Sequence, residues 1–169
     1  MKSIVFALRQ AQGKPAKILV LLDIRSAQNV GSLFRTADAC GIDEIYLVGI
    51  TPAPTDKFGR ANTAIAKTAL GAEQTIPWKK VATILPLLSK MKQQGIQTIA
   101  IEQAQHATDY KKVKIKTPVA FILGNEVDGI PKKVLEKIDI VAEIPMKGKK
   151  ESLNVSVAGG IALFRMLGI

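Results

Sequence analysis

The run ILVLLDI at residues 18–24 constrains the fold more than any other stretch of the chain. Five consecutive apolar residues, Ile18 to Leu22, leave no polar face, so this segment reads as a strand covered on both sides, the pattern of a parallel sheet interior. Parallel neighbours need crossover connections, usually helices, and the rest of the chain supplies alternating candidates. The spacing predicts a helix over 31–40 ended by Gly41 and a strand over 45–48. A Pro52/Pro54 loop over 51–60 follows, then a short helix over 62–70 and a weak strand near 74–76. Val81, Ile84, Leu85, Leu88 and Met91 have helical spacing, with Pro86 as a kink and Gly95 as the stop. Strands at 96–101, 119–123 and 140–143 come next, with Pro131 opening a helix that runs to about 138. The expectation is one α/β domain over 1–169, a mostly parallel sheet flanked by helices, with residues 1–16 as an arm or short helix.

Net charge narrows the partners. At +10, with a pI near 9.8, the surface would attract a polyanion, and nucleic acid is the commonest large one in a cell. Cys40 is alone and cannot form an internal disulfide, and with His106 as the single histidine no zinc ligand cluster exists. No metal is expected, and a cytoplasmic location follows. The apolar run at residues 4–8 is too short for a signal-peptide core, and the final helix over 153–169, with Gly159 and Gly160 inside it, is short for a membrane span. His106 is a general base by chemistry alone, but its polar surroundings (EQAQHATDY) read as surface.

Ligands in parallel α/β sheets bind beyond the carboxyl ends of the strands. The glycine fingerprint G-x-G-x-x-G is missing after the first strand, which removes an ordinary dinucleotide site. A different ligand loop stands at 144–154. There Pro145 and Gly148 bend the chain, Lys147, Lys149 and Lys150 make it basic, and Ser152 and Asn154 guard the mouth of an apolar helix. Its backbone groups and the two polar side chains suit a ligand; the plainer reading makes Ser152 the helix N-cap.

Three segments carry a resemblance that covers nearly the whole chain: NVGSLFRTADACGIDEIYL at 29–47, FILGNEVDGI at 121–130 and IPMKGKKESLNVSVAGG at 144–160. In that order they resemble the motifs of the SpoU (TrmH-type) RNA 2′-O-ribose methyltransferases of the SPOUT superfamily. The resemblance implies a deep trefoil knot in the C-terminal part, S-adenosylmethionine as cofactor, a homodimer, and methyl transfer to a ribose 2′-hydroxyl. It also implies an active site of Asn29, Arg35, Glu126, Ser152 and Asn154. The implied cofactor cradle is Leu123, Gly124, Asn125, Gly129, Ile144, Met146, Ser152 and Leu153, with Gly124 and Gly129 permitting close backbone approach.

Each of these residues has a bland alternative. Asn29 is a natural N-cap, Arg35 a solvated helix residue, and Glu126 a carboxylate favoured by a helix dipole. Within the family reading, Glu126 holds Arg35 or Asn29 by charge-assisted hydrogen bonds; Arg35 lies four residues past Gly31, one helical turn in, which would let Asn29 and Arg35 face one cleft. The resemblance implies that the partner subunit supplies Arg35, which would either accept the proton or clamp the phosphate and developing alkoxide. Lys111, Lys112, Lys114, Lys116, Lys147, Lys149 and Lys150 are candidates for phosphate contacts, against the alternative of a solvated face. Aromatic residues are only 5%, so shape and backbone recognition should outweigh base stacking. Small residues in the last helix (Ser156, Ala158, Gly160, Ala162) suit either core packing or another helix. Transfer RNA is expected first and ribosomal RNA second. The rivals are a non-catalytic RNA-binding dimer and a base methyltransferase of the same superfamily.

Overall fold

A computed structural model describes residues 17–169; the expected N-terminal arm lies outside the described residues. The strands are β1 (Lys17–Leu22), β2 (Glu44–Val48), β3 (Trp78–Val81), β4 (Gln97–Ile101), β5 (Thr108–Asp109), β6 (Val119–Leu123) and β7 (Ile140–Glu143). They form one sheet in the order β3-β2-β1-β6-β4-β7-β5. Every pairing is parallel, so all strands end at one edge. The helices are α1 (Ala27–Ala39), α2 (Thr63–Ala69), α3 (Ala72–Thr75), α4 (Ile84–Gln93), α5 (Lys132–Leu135) and α6 (Val155–Leu167), with a 3-10 turn at Tyr110–Lys112.

Strand period then divides β1 between two cores. Leu19 and Leu21 pack with Leu33 and Phe34 of α1 and Ala162 and Leu163 of α6, while Ile18, Val20 and Leu22 pack with Leu87, Leu88 and Met91 of α4. Both faces are covered, which is why the run carries no polar residue.

Three local expectations are corrected. Helix α1 starts at Ala27, because Ser26 caps it by accepting from the Asn29 N–H at 3.2 Å. The strand expected near 74–76 is a turn of helix, and the strand lies at Trp78–Val81. As the terminal strand of the sheet it exposes Lys79 and Lys80, which hides it from a search for apolar runs. The helical spacing beginning at Val81 is therefore real only from Ile84.

Helix α6 presses close to the sheet through Gly159. A Cβ there would meet Leu33 Cδ2 at 2.6 Å and Leu123 Cδ1 at 2.8 Å. Gly159 and Ala162 thus serve packing within the chain, whereas Gly160 faces open space. Outward, Val157, Ile161 and Phe164 stand 48, 38 and 39% exposed in a stripe of helical spacing. No helix among the described residues is long and apolar enough to cross a membrane.

Candidate active site

The three motif segments converge at the carboxyl edge, where Glu126 is the junction. Its Oε2 accepts from the Arg25 N–H at 2.9 Å, and Oε1 accepts from the Ser26 N–H at 3.1 Å and from Asn29 Nδ2 at 2.9 Å. Asn29 Oδ1 in turn accepts from Asn154 Nδ2 at 3.1 Å. The carboxylate sits on the N-terminal end of α1, where N–H groups lack helical partners and the dipole favours negative charge. Partial burial pushes its pKa up, but the hydrogen bonds from Arg25, Asn29 and Ser26 outweigh burial and hold it below the ordinary carboxylate range. Glu126 is therefore an anion at neutral pH that orients the Asn29 amide. The helix-dipole reading holds in kind, but the helix concerned is α1.

Beside this junction lies a cleft of about 250 Å³ across the ends of β4, β6 and β7. Of the expected cofactor residues, Leu123, Gly124, Asn125, Gly129, Ile144, Met146, Ser152 and Leu153 all line it, together with Glu126. No backbone hydrogen bond ties residues 145–153 to the rest of the described chain, so their N–H and C=O groups are open to a ligand. Ser152 is exposed on the cleft and does not cap α6. That cap is Asn154, whose Oδ1 accepts from the Ser156 N–H at 2.9 Å and Oγ at 2.6 Å. Asn154 consequently does two jobs, starting α6 and binding Asn29.

The glycines of the 124–130 turn, both on the cleft lining, also have a role within the fold. A Cβ on Gly124 would lie 2.8 Å from the Gly129 carbonyl carbon and 2.5 Å from Ile130 Cγ1, so this glycine lets the turn close on itself. Gly129, at φ +64°, gives room to Glu102, whose Oε2 would stand 2.5 Å from a Cβ. Glu102 accepts from the Ile130 N–H at 2.8 Å and the Gln103 N–H at 2.9 Å, and also lines the cleft. Sequence reasoning missed it; an acid just past the carboxyl end of a parallel strand was the available signal.

Asn125 completes the turn. Its Oδ1 accepts from the Val127 N–H at 2.8 Å and the Asp128 N–H at 3.0 Å, and its Nδ2 donates to the Asp23 carbonyl at 2.7 Å. Asp23, at φ +54°, also accepts from the Ile50 N–H at 3.0 Å through Oδ1, beneath Gly49, where a Cβ would lie 1.9 Å from that oxygen.

Arg35 is not brought to the cleft of its own chain. It is exposed on α1 and, like Asn29 and Asn154, outside the lining; six residues past Asn29, it stands about 120° around the helix from it. Lys147, Lys149 and Lys150 are exposed, the last two lining a groove with Met146 and Glu151 next to the cleft. Lys112, Lys114 and Lys116 alternate outward with Val113 and Ile115, which pack against the core. Lys111 lies over the Tyr110 ring at 5.7 Å. This connector leaves the carboxyl edge after β5 and reaches the opposite edge, where the Lys116 N–H donates to Gln97 Oε1. His106 is exposed and outside the cleft lining.

The sequence model of the SpoU rRNA Methylase family matches residues 16–164. The chain belongs to that family. It is 35% identical over 151 residues to the 23S rRNA (guanosine-2'-O-)-methyltransferase RlmB of Ralstonia nicotianae, covering 89% of this chain and 57% of that relative. Among solved structures, it is similar to an AdoMet-bound rRNA methyltransferase from Sinorhizobium meliloti. That match has TM-score 0.79 at 28% identity and covers 89% of this chain and 55% of the other. A TrmH/SpoU tRNA modifying enzyme from A. aeolicus matches with TM-score 0.79 at 25% identity, over 97% of this chain and 83% of the other. The chain spans less than two thirds of the length of the Ralstonia relative. The parallel sheet flanked by helices is the fold these two structures share with it.

Proposed function

We propose that this family member binds S-adenosylmethionine in the cleft between the 123–130 and 144–153 loops and methylates a ribose 2′-hydroxyl of RNA. The observation that carries this reading is the chain of hydrogen bonds Glu126–Asn29–Asn154, which joins all three motifs at the rim of that cleft. The cleft suits the cofactor: open backbone groups at 145–153 for a purine edge, and Leu123, Ile144, Met146 and Leu153 for its face. Bound there, the cofactor would supply an electrophilic sulfonium methyl group. The protein's own contribution is alignment and exclusion of water. Asn29, fixed by Glu126 and Asn154, and Ser152 on the rim orient the RNA ribose. Arg35 arrives from the partner of a homodimer, grips the neighbouring phosphate and stabilises the developing alkoxide; a guanidinium normally stays protonated and is a poor base.

The apolar stripe Val157, Ile161 and Phe164 supports a homodimer as its cover, and the exposure of Arg35 leaves it available to a partner subunit. A deep trefoil knot in the C-terminal part belongs to the same proposal. The insertion of β6 between β1 and β4, followed by the return of α6 onto Leu33 and Leu123, supports it. An experimental structure in which that path passes through no loop would remove it. We place the protein in the cytosol and read the matched residues 16–164 as one methyltransferase domain that needs no metal.

Ribosomal RNA is the first substrate choice, given the 35% identity to an enzyme named for 23S rRNA. Transfer RNA, ranked first by resemblance alone, becomes the second, supported by the likeness to the A. aeolicus enzyme. The deciding experiment is methyl transfer from labelled S-adenosylmethionine to size-separated unmodified RNA, followed by alkaline hydrolysis. Label in one size class, in dinucleotides that resist alkali, is the expected result. Label released in mononucleotides would make this a base methyltransferase; cofactor binding without label in any RNA would favour the non-catalytic dimer.

A further inference from the structure

The turn that carries Phe58 falls outside every motif used above. Asp56 builds it: Oδ1 accepts from the Phe58 N–H at 2.8 Å and the Arg60 N–H at 2.9 Å, while Oδ2 accepts from Arg60 Nε at 2.7 Å. Backbone bonds from the Asp56 N–H to the Arg60 carbonyl and from the Gly59 N–H to the Asp56 carbonyl close it. All this order presents an aromatic ring to water, for Phe58 is 71% exposed. Lys57 Nζ lies 5.0 Å and the Arg60 guanidinium carbon 5.2 Å from the ring centroid. An exposed phenyl ring held by a pre-ordered turn serves no core, and the two cations that lie over it suit an anionic partner, to whose phosphates they can turn while the ring takes a base.

Position adds to chemistry. Lys57 and Arg60 line a basin of about 810 Å³ with Ile50, Pro52 and Lys80 at the carboxyl end of β2, beside the ends of β1 and β6 where the active site lies. The basin is joined to the cleft through Asp23, which holds Ile50 with its carboxylate and Asn125 with its carbonyl. Lys80 Nζ donates to the carbonyls of Gly49 and Thr51, which ties the basin floor to β3.

We infer that Phe58 is a stacking platform for an unpaired RNA base near the target ribose, with Lys57 and Arg60 holding the adjacent phosphates. This rests on the RNA reading above and adds a recognition device to it. Stacking a base on an aromatic side chain is worth enough that its loss weakens binding roughly 10-fold, without removing a phosphate contact.

The test is a salt titration of labelled, unmodified 23S rRNA and tRNA transcripts against the full chain and its Phe58 variants. Phe58→Ala should weaken binding of the substrate RNA about 10-fold with an unchanged salt slope and unchanged S-adenosylmethionine affinity, and Phe58→Trp should restore it. Lys57→Gln should instead lower the slope by about one. Equal RNA affinity in wild type and Phe58→Ala overturns the platform and leaves the RNA reading standing. Failure of the wild type to bind either RNA overturns both. A change in sedimentation of Phe58→Ala with RNA affinity intact would make the turn a protein contact and also overturn the platform.

Discussion

Asn154 donates from Nδ2 to Asn29 Oδ1 at 3.1 Å, although 125 positions separate the two residues in the chain. The same Asn154 caps α6 through Oδ1, so one amide serves helix and candidate site with its two ends. The jobs can be separated. Asn154→Ser keeps a capping hydroxyl but is too short to bridge to Asn29, so thermal stability should stay near wild type while methyl transfer falls. Asn154→Ala should lose activity and about 1 kcal/mol of stability as well. Paired melting and single-turnover assays check this; equal activity of the serine variant and wild type would show that the bridge is idle.

Arg35 is exposed and outside the cleft lining of its own chain. Arg35→Ala should therefore leave cofactor affinity intact while slowing methyl transfer about 100-fold or more with saturating RNA. Arg35→Lys keeps the charge without the planar fork and should recover only part of the rate. Calorimetry with S-adenosylmethionine beside a turnover assay separates the two effects. Mixing Arg35→Ala with a cleft variant should restore activity in heterodimers if the partner supplies this residue, and near-normal turnover of Arg35→Ala alone would exclude a catalytic role.

Glu126 titrates below the ordinary carboxylate range in the folded chain. A depressed folded pKa means stability that is present above the unfolded value and lost as pH falls through the folded one. The melting temperature of wild type should therefore exceed that of Glu126→Gln at neutral pH. The gap should close as the pH falls below about 4. Melting curves of both proteins from neutral to acid pH check the sign; a gap that widens on acidification would contradict the hydrogen-bonded anion.

Lys149 and Lys150 line the groove beside the cleft, whereas Lys112 and Lys114 lie on a connector that runs to the opposite edge. Replacing the first pair by glutamine should lower the slope of log affinity against log salt by about two. Replacing the second pair should change it less. Filter binding over a salt series gives both slopes, and equal loss from the two pairs would extend the RNA footprint across the connector.

Much of this was legible in the sequence, for reasons that differ by residue. The run at 18–22 announces its two-sided burial because a strand buried on both faces tolerates no polar residue. The cleft lining was legible through the motif resemblance, and every expected cofactor residue lies on it. Edge strand β3 was not, since a strand with solvent on its flank carries lysines and loses its apolar signature. Nor was the closure of Gly124 onto Gly129, or the grip of Glu102 on Ile130, because contacts between strand ends leave no periodic trace. Helix spacing alone argues against placing Arg35 beside Asn29, because a separation of six residues turns the two about 120° apart on any α-helix.

Asp23 occupies a left-handed conformation that glycine would adopt with less strain. A glycine there would keep the bend and the carbonyl for Asn125, yet abandon the Ile50 N–H. Two loops lean on one residue, the first framing the cleft and the second the basin. A change of shape at either is felt by the other, so the cleft and the basin cannot be reshaped independently.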